Sequence, residues 1–410
     1  MTQRLYYTDA FLLEFSGHVV EALASPRPAL ILDRTAFYPT SGGQVFDTGM
    51  LRARDEKLAV LEVAEDEYGR LVHFLDRSPA FGAGVEVRGQ VDRPRRLDHM
   101  QQHSGQHVLS AAFLRLFNMA TVSFHMGDQV CTIDLDSSAL SREQARRAGQ
   151  LANDVVLEDR PVAIRFVSLE EARGLGLRKL PPDPQEELRL IDIADFDLTA
   201  CGGTHVGATG QIGPILVRKI EKVKQGVRVE FVCGQRALNA ARRDYDALVE
   251  SASAFSAQIW DLPEHVRRLQ EDARAARKQI EQLQQEAADL QASRLLAEAG
   301  EAPVRIVSHV FTDRELSFIK LLAQKLVRSG GTPVVALLAS TLPPASVVFA
   351  QTAGGVFDMG SLIRELVAPL GGRGGGTRDM AQAGLPSADR LEEVLRTACD
   401  RVCSALPPAH

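Results

Sequence analysis

Apolar residues in the first part of the chain come in short runs, at 29–32, 58–63, 71–74 and 85–87, each bounded by Gly, Asp or Pro. Runs of that length between turn residues predict strands of a small β-rich domain over 1–90. From Pro94 the period changes. Leu97, Met100, Val108, Leu109, Phe113 and Leu116 recur at helical spacing and predict a helix opened by Pro94-Arg95-Arg96. A second helix is expected over 141–157, strands at 162–167 and 188–193, and a strand hairpin at 212–220 and 226–232.

The stretch 236–255 reads as helix. After it, Leu262, Val266, Leu269, Ala273, Ala276, Ile280, Leu283, Ala287 and Leu290 alternate spacings of four and three, the heptad seam of a coiled coil, with Pro263 where proline suits a first turn. Two outcomes fit: an antiparallel hairpin within one chain, or pairing with a copy in a homodimer. Strands at 304–310, 333–338 and 346–350 and helices at 315–327, 361–367 and 388–403 predict a compact α/β domain. The fold class read from these patterns is α+β in four segments. They are a β-rich domain at 1–90, an α+β domain at 91–235, a helical connector at 236–300 and an α/β domain at 301–410.

Composition narrows the setting. A length of 410 residues and 45% hydrophobic content support several real cores, and the net charge of -6 means that any nucleic-acid site is a local patch. Five cysteines, an odd number and widely spread, argue against a disulfide framework and for a reducing compartment. The first apolar run is broken by Asp9, Glu14 and His18, so no signal peptide is expected, and no run approaches the ~18 apolar residues of a membrane span. A cytoplasmic location is expected.

The candidate chemistry lies in His103-Ser-Gly-Gln-His107. Histidines four apart share one helix face and can grip one ion. Far downstream, Cys201-Gly-Gly-Thr-His205 offers a thiolate and a further imidazole. Together these nitrogen and sulfur donors are the set that zinc prefers. Metalloproteases place Glu after the first His as general base; here Ser104 holds that place, which disfavours a protease. Four protein ligands suit a closed structural site, whereas catalysis needs an open or displaceable position.

Three other stretches stand out. In Thr35-Ala-Phe-Tyr-Pro-Thr-Ser-Gly-Gly-Gln44, Gly42 and Gly43 permit close backbone approach, beside the polar side chains of Thr35, Ser41 and Gln44. Either a tight solvated turn or the polar wall of a substrate pocket fits. Between Arg218 and Arg243, eight Lys or Arg, among them Lys219 and Arg228, face only Glu221 and Glu230, a candidate phosphate-facing patch. Gly371–Gly384 is expected to be a glycine-rich loop whose bare amides and Arg373 and Arg378 cradle phosphate; no Lys-Ser/Thr follows, so it is not a Walker A loop.

These motifs, in this order, resemble the editing and C-terminal domains of alanyl-tRNA synthetases. The His103/His107 and Cys201/His205 pairs are similar to that family's editing-domain zinc site, the stretch 35–49 to its N-terminal editing signature, and 371–384 to the glycine-rich signature shared with DHH-type phosphoesterases, whose own metal motif is absent. One departure is Thr40, where the signature commonly has an acidic residue. No aminoacylation region is expected upstream, so the chain is identified as a member of the freestanding alanyl-tRNA editing proteins, the AlaX family in its long form.

The resemblance implies a zinc-dependent hydrolase that deacylates mischarged Ser-tRNA for alanine, and it leaves open whether Gly-tRNA is a substrate too. A synthetase pocket for alanine cannot exclude glycine and rejects serine poorly, so a second site must correct it. It implies His103, His107, Cys201, His205 and Gln44 as catalytic, and Thr35 as the reader of the serine hydroxyl. Gln44, with Gly42 and Gly43, would hold the aminoacyl group or terminal ribose. Arg218, Lys219, Arg228, Arg373 and Arg378 would bind RNA. Zn2+ would either polarise the ester or anchor the substrate's amino group. The alternative is a non-enzymatic tRNA binder with a structural zinc.

Overall fold

The computed structural model of the chain describes residues 2–178, 186–224 and 226–406. They form a mixed α/β protein of two compact units, Met1–Ser251 and Ala252–His410.

The first unit opens with β1 (Gln3–Arg4), β2 (Glu14–Leu23), β3 (Ala29–Leu32), β4 (Arg34–Thr35), β5 (Gly49–Ala53), β6 (Glu56–Glu65), β7 (Leu71–Leu75) and β8 (Glu86–Val91). β1 pairs with β4, and the others close a barrel in the order β2-β3-β7-β6-β5-β8. Closure leaves no open edge, and alternate residues such as Phe15, Leu32, Leu51, Leu58 and Val87 fill the interior. The apolar runs mark β3, β6, β7 and β8. They miss β2 and β5, because β2 (EFSGHVVEAL) buries only every second residue over most of its length and shows no continuous run.

Helix α1 (Arg93–Phe117) follows at once. Asp92 caps it by accepting from the Arg95 amide, Pro94 sits in its first turn, and Asn118 ends it in the left-handed conformation at φ 55°. Then come β9 (Thr121–Met126), β10 (Cys131–Leu135), α2 (Arg142–Leu157), β11 (Val162–Ser168), α3 (Leu169–Gly174), β12 (Glu187–Ile193), β13 (Asp197–Ala200), β14 (Ile215–Val223), β15 (Gly226–Cys233) and α4 (Gly234–Ala254). The expected hairpin is β14–β15, and it belongs to a four-stranded sheet, β14-β15-β10-β9. The strands β9 and β10 are absent from the apolar pattern because β9 buries only Met126 and β10 alternates buried residues with half-buried Thr132 and Asp134. Met100, Leu109, Phe113, Ile133 and Phe231 form the core between α1 and this sheet. A separate sheet, β11-β12-β13, ends at Ala200, one residue before Cys201.

The second unit holds α5 (Leu262–Glu298), β16 (Arg305–Phe311), α6 (Leu316–Arg328), β17 (Val334–Ser340), β18 (Ser346–Gln351), α7 (Met359–Val367), β19 (Arg373–Gly376), β20 (Met380–Gly384) and α8 (Leu391–Ala405). Its sheet runs β16-β17-β18-β20-β19, with β17 and β18 buried along their whole length. Ala288, Ala292 and Leu295 of α5 join a core with Ile319 and Leu322 of α6. The earlier seam residues Val266, Leu269, Ile280 and Leu283 are 43–56% exposed. The expected glycine-rich loop is corrected: β19 and β20 form an antiparallel hairpin. Its glycines serve close packing, since a Cβ at Gly374 would lie 2.3 Å from the Ala383 Cβ. Among the described residues no helix is long and apolar enough to cross a membrane.

Candidate metal centre

Helix α1 places His103 and His107 one turn apart with ring centroids 5.2 Å from each other. The turn after β13 brings Cys201 and His205 to the same point, and the ligand atoms of all four residues lie within 4.8 Å of one another. Cys201 Sγ is 3.4 Å from His103 Nε2 and 3.3 Å from His205 Nε2. Atoms bound tetrahedrally to zinc at ~2.0–2.3 Å stand roughly 3.3–3.7 Å apart, so the donors have the type and spacing of a tetrahedral site. The approach requires Gly203: a Cβ there would sit 2.1 Å from His103 Cε1.

Each imidazole is held from behind at Nδ1, by a different group. Gln44 Oε1 lies 2.8 Å from His103 Nδ1, Ser104 Oγ 3.1 Å from His205 Nδ1, and Asp197 Oδ2 3.3 Å from His107 Nδ1. An acceptor at Nδ1 puts the ring proton there and leaves the Nε2 lone pair for the shared centre. Asp197 is itself gripped by Arg178 through Nε at 2.7 Å and Nη2 at 3.0 Å. Ser104 also accepts the Val206 amide at 3.1 Å. Thus the residue that disfavours a protease fixes the orientation of the His205 ring instead.

At Cys201 and His205 the electrostatics favour the metal-binding forms. Burial alone would raise the Cys201 thiol, but the His103 and His205 rings beside it hold it well below its ordinary value, as a thiolate. Burial pushes His205 down to about 3, the neutral form that binds metal. Burial also opposes charge on His107, yet Asp197 and Cys201 outweigh it and raise that ring.

The centre opens on a cleft of about 170 Å³ lined by Gly42, His103, Gln106, His107, Phe124 and Cys201, among others. Phe124 stacks on His103 at 5.4 Å. Gly42 is on the cleft wall, while the Gly43 carbonyl accepts the Met126 amide of β9 at 3.0 Å. Gln44 is fully buried behind the ligands, donating from Nε2 to Thr204 Oγ1 at 2.9 Å and accepting the Thr204 amide at 3.1 Å. Thr35 is not brought to the cleft. It is fully buried, donating to His73 Nε2 at 2.9 Å and accepting the Phe37 amide at 3.1 Å.

The stretch 35–49 is tied to α1 by a buried ion pair. Asp47 accepts from Arg96 Nε at 3.0 Å and from the Tyr38 amide at 2.7 Å, and Arg96 also reaches the Ala10 and Ala36 carbonyls. Of the expected RNA contacts, Arg218 pairs with Asp244, Lys219 with Glu221 and Arg228 with Asp134, whereas Arg373 and Arg378 are exposed on the β19–β20 hairpin. The sequence reading missed Asp197 and Arg178. No spacing rule links them to the histidines; only the packing of β13 beside α1 and the Arg178–Asp197 ion pair do.

Comparison with known proteins places these features. Residues 4–95 match the model for class II (A) tRNA synthetases, 188–229 the second additional domain of threonyl and alanyl tRNA synthetases, and 310–403 the DHHA1 domain. The alanine--tRNA ligase of Pyrococcus abyssi is 30% identical over 408 residues, covering 97% of this chain and 43% of the ligase. That of Halorubrum lacusprofundi is 34% identical over 97% of this chain and 44% of its own length. The chain therefore spans less than half of the ligases it matches. The alanyl-tRNA editing protein AlaX-L of Pyrococcus horikoshii is 30% identical over 414 residues, covering 99% of this chain and 100% of that protein. Matched from end to end by that relative, the chain belongs to the AlaX-L family of alanyl-tRNA editing proteins.

Proposed function

We propose that the protein is a trans-editing hydrolase that deacylates tRNA for alanine mischarged with serine, and secondarily with glycine, while sparing Ala-tRNA. The observation that carries this reading is that three of the four donors, His103, His107 and Cys201, stand on the wall of an open cleft. A purely structural zinc is sealed by its ligands. Held by His103, His107, Cys201 and His205, Zn2+ would supply Lewis acidity toward an ester carbonyl.

The chain's own residues do the rest. Gln44, Ser104 and Asp197 keep the imidazoles aimed, and Gly42 keeps the wall low where the substrate's end must approach. A seryl hydroxyl entering the cleft meets the polar side chains of Gln106, Ser123 and Thr199. An alanyl group leaves such partners unsatisfied, at about 1–3 kcal/mol. Thr35, saturated by His73 and Phe37, acts on this selectivity only through the barrel. The exposed Arg373 and Arg378 are offered to tRNA phosphates. Arg218, Lys219 and Arg228 would first have to exchange their carboxylate partners. The exposed heptad seam of α5 suits pairing with a second copy, and the reaction belongs in the cytoplasm, where charged tRNA is used.

The test is to incubate the protein with Ser-tRNA and Ala-tRNA for alanine and follow ester loss. Selective loss of the serine ester, abolished by Cys201→Ala with tRNA affinity kept, supports the hydrolase. Tight tRNA binding with neither ester cleaved supports the non-enzymatic binder instead.

A further inference from the structure

Of the three groups behind the imidazoles, only Asp197 carries a charge, and it is the one whose position depends on another ion. Its carboxylate is buried at 6% exposure, with Oδ2 facing His107 Nδ1 at 3.3 Å. Among the described residues His107 Nδ1 has no other hydrogen-bonding partner. Both Asp197 oxygens are engaged by Arg178, and the Arg178 amide is in turn bound to the Leu198 carbonyl at 2.8 Å. The arginine side chain also forms part of the cleft wall, beside His107 and Thr199. Arg178, Asp197 and His107 thus form a chain that runs from the cleft wall to a ligand nitrogen.

We infer that Asp197 and Arg178 are positioning residues of the metal centre. Asp197 holds the His107 ring with Nε2 inward, and Arg178 locks Asp197 in the rotamer that does so. The inference rests on the proposed metal site and adds which residues outside the ligand set determine its affinity. A buried carboxylate that loses the Arg178 guanidinium would turn toward solvent, which releases His107. Carboxylate partners of ligating histidines typically change metal affinity ~10–100-fold when lost.

The test measures Zn2+ affinity of the full chain by competition with a chromophoric chelator, and the visible spectrum of the Co2+-loaded protein. Asp197→Asn keeps the shape and removes the charge. It should weaken Zn2+ binding at least ~10-fold and shift the Co2+ bands, with unchanged far-UV circular dichroism. Arg178→Met should weaken binding in the same direction and Arg178→Lys less so. Asp192→Asn breaks the more exposed Arg165–Asp192 pair on the adjoining strand and should leave affinity unchanged. Wild-type affinity and spectrum in Asp197→Asn would overturn the inference while leaving the metal site standing. Should that variant not fold, Arg178→Met decides: native affinity there overturns the inference. Wild-type protein that binds neither Zn2+ nor Co2+ overturns the metal site, and the inference with it.

Discussion

Gln44 and Thr204 meet at 2.9 Å across 160 residues of sequence, the glutamine amide donating to the threonine hydroxyl. The same carboxamide accepts from His103 Nδ1 on one side and from the Thr204 amide on the other. A single side chain from the barrel loop therefore braces both ligand pairs, the one on α1 and the one after β13. Gln44→Ala should free His103 and loosen the Cys201 turn, lowering Zn2+ affinity and Ser-tRNA deacylation ~10–100-fold together. Chelator competition and ester hydrolysis, run on one preparation, check this; unchanged values in both would dismiss the brace.

Gly203 makes the sharpest steric demand in the centre. Its missing Cβ would lie 2.1 Å from His103 Cε1 and 3.0 Å from Gln44 Oε1. Gly203→Ala should displace His103 and abolish metal loading, while Gly202→Ala, whose Cβ meets nothing closer than the Tyr7 hydroxyl at 3.4 Å, should not. Metal content of the two purified variants separates them.

The Arg96–Asp47 pair is buried at both ends, each side chain 0% exposed. Removing one partner of such a pair leaves an uncompensated charge in the interior and typically costs about 3–5 kcal/mol. Arg96→Met should therefore lower stability by that order, and it should also release the 35–49 stretch from α1. Urea unfolding compared with an exposed-pair control, Arg146→Met, measures it.

His73 is fully enclosed in the barrel, and burial pushes its ring down to about 4. In the unfolded chain it titrates near 6.5. Between those values the unfolded chain binds a proton that the folded one refuses. Stability from this group is thus complete above about pH 6.5, falls with decreasing pH, and levels off below about 4. The full effect is about 3 kcal/mol. His73→Gln should flatten the pH dependence of unfolding over this window. A variant as acid-sensitive as wild type would contradict it.

The legible parts of the chain were those with local signals. Short, mostly apolar runs marked β3, β6 and β7, the helical period marked α1, and the heptad marked α5. Strands that bury one face only, such as β2, or little at all, such as β9, lack that signal because at least half their residues are polar or solvated. Glycines misled at 371–384, since the same residue that permits a loop also permits two strands to lie unusually close.

The sequence alone nominated the candidate donor set: residue type and i, i+4 spacing single out His103, His107, Cys201 and His205, and the fold brings their ligand atoms within 4.8 Å of one another. It could not place the groups that aim them. Gln44 lies 59 residues from His103, and Asp197 reaches His107 only because β13 runs beside α1. Thr35 shows the converse, a polar residue in a recognisable motif whose hydroxyl the fold commits to a buried histidine. Spacing along a helix is a local property of the backbone; what stands behind a ring nitrogen depends on how distant segments pack, and only the tertiary structure decides that.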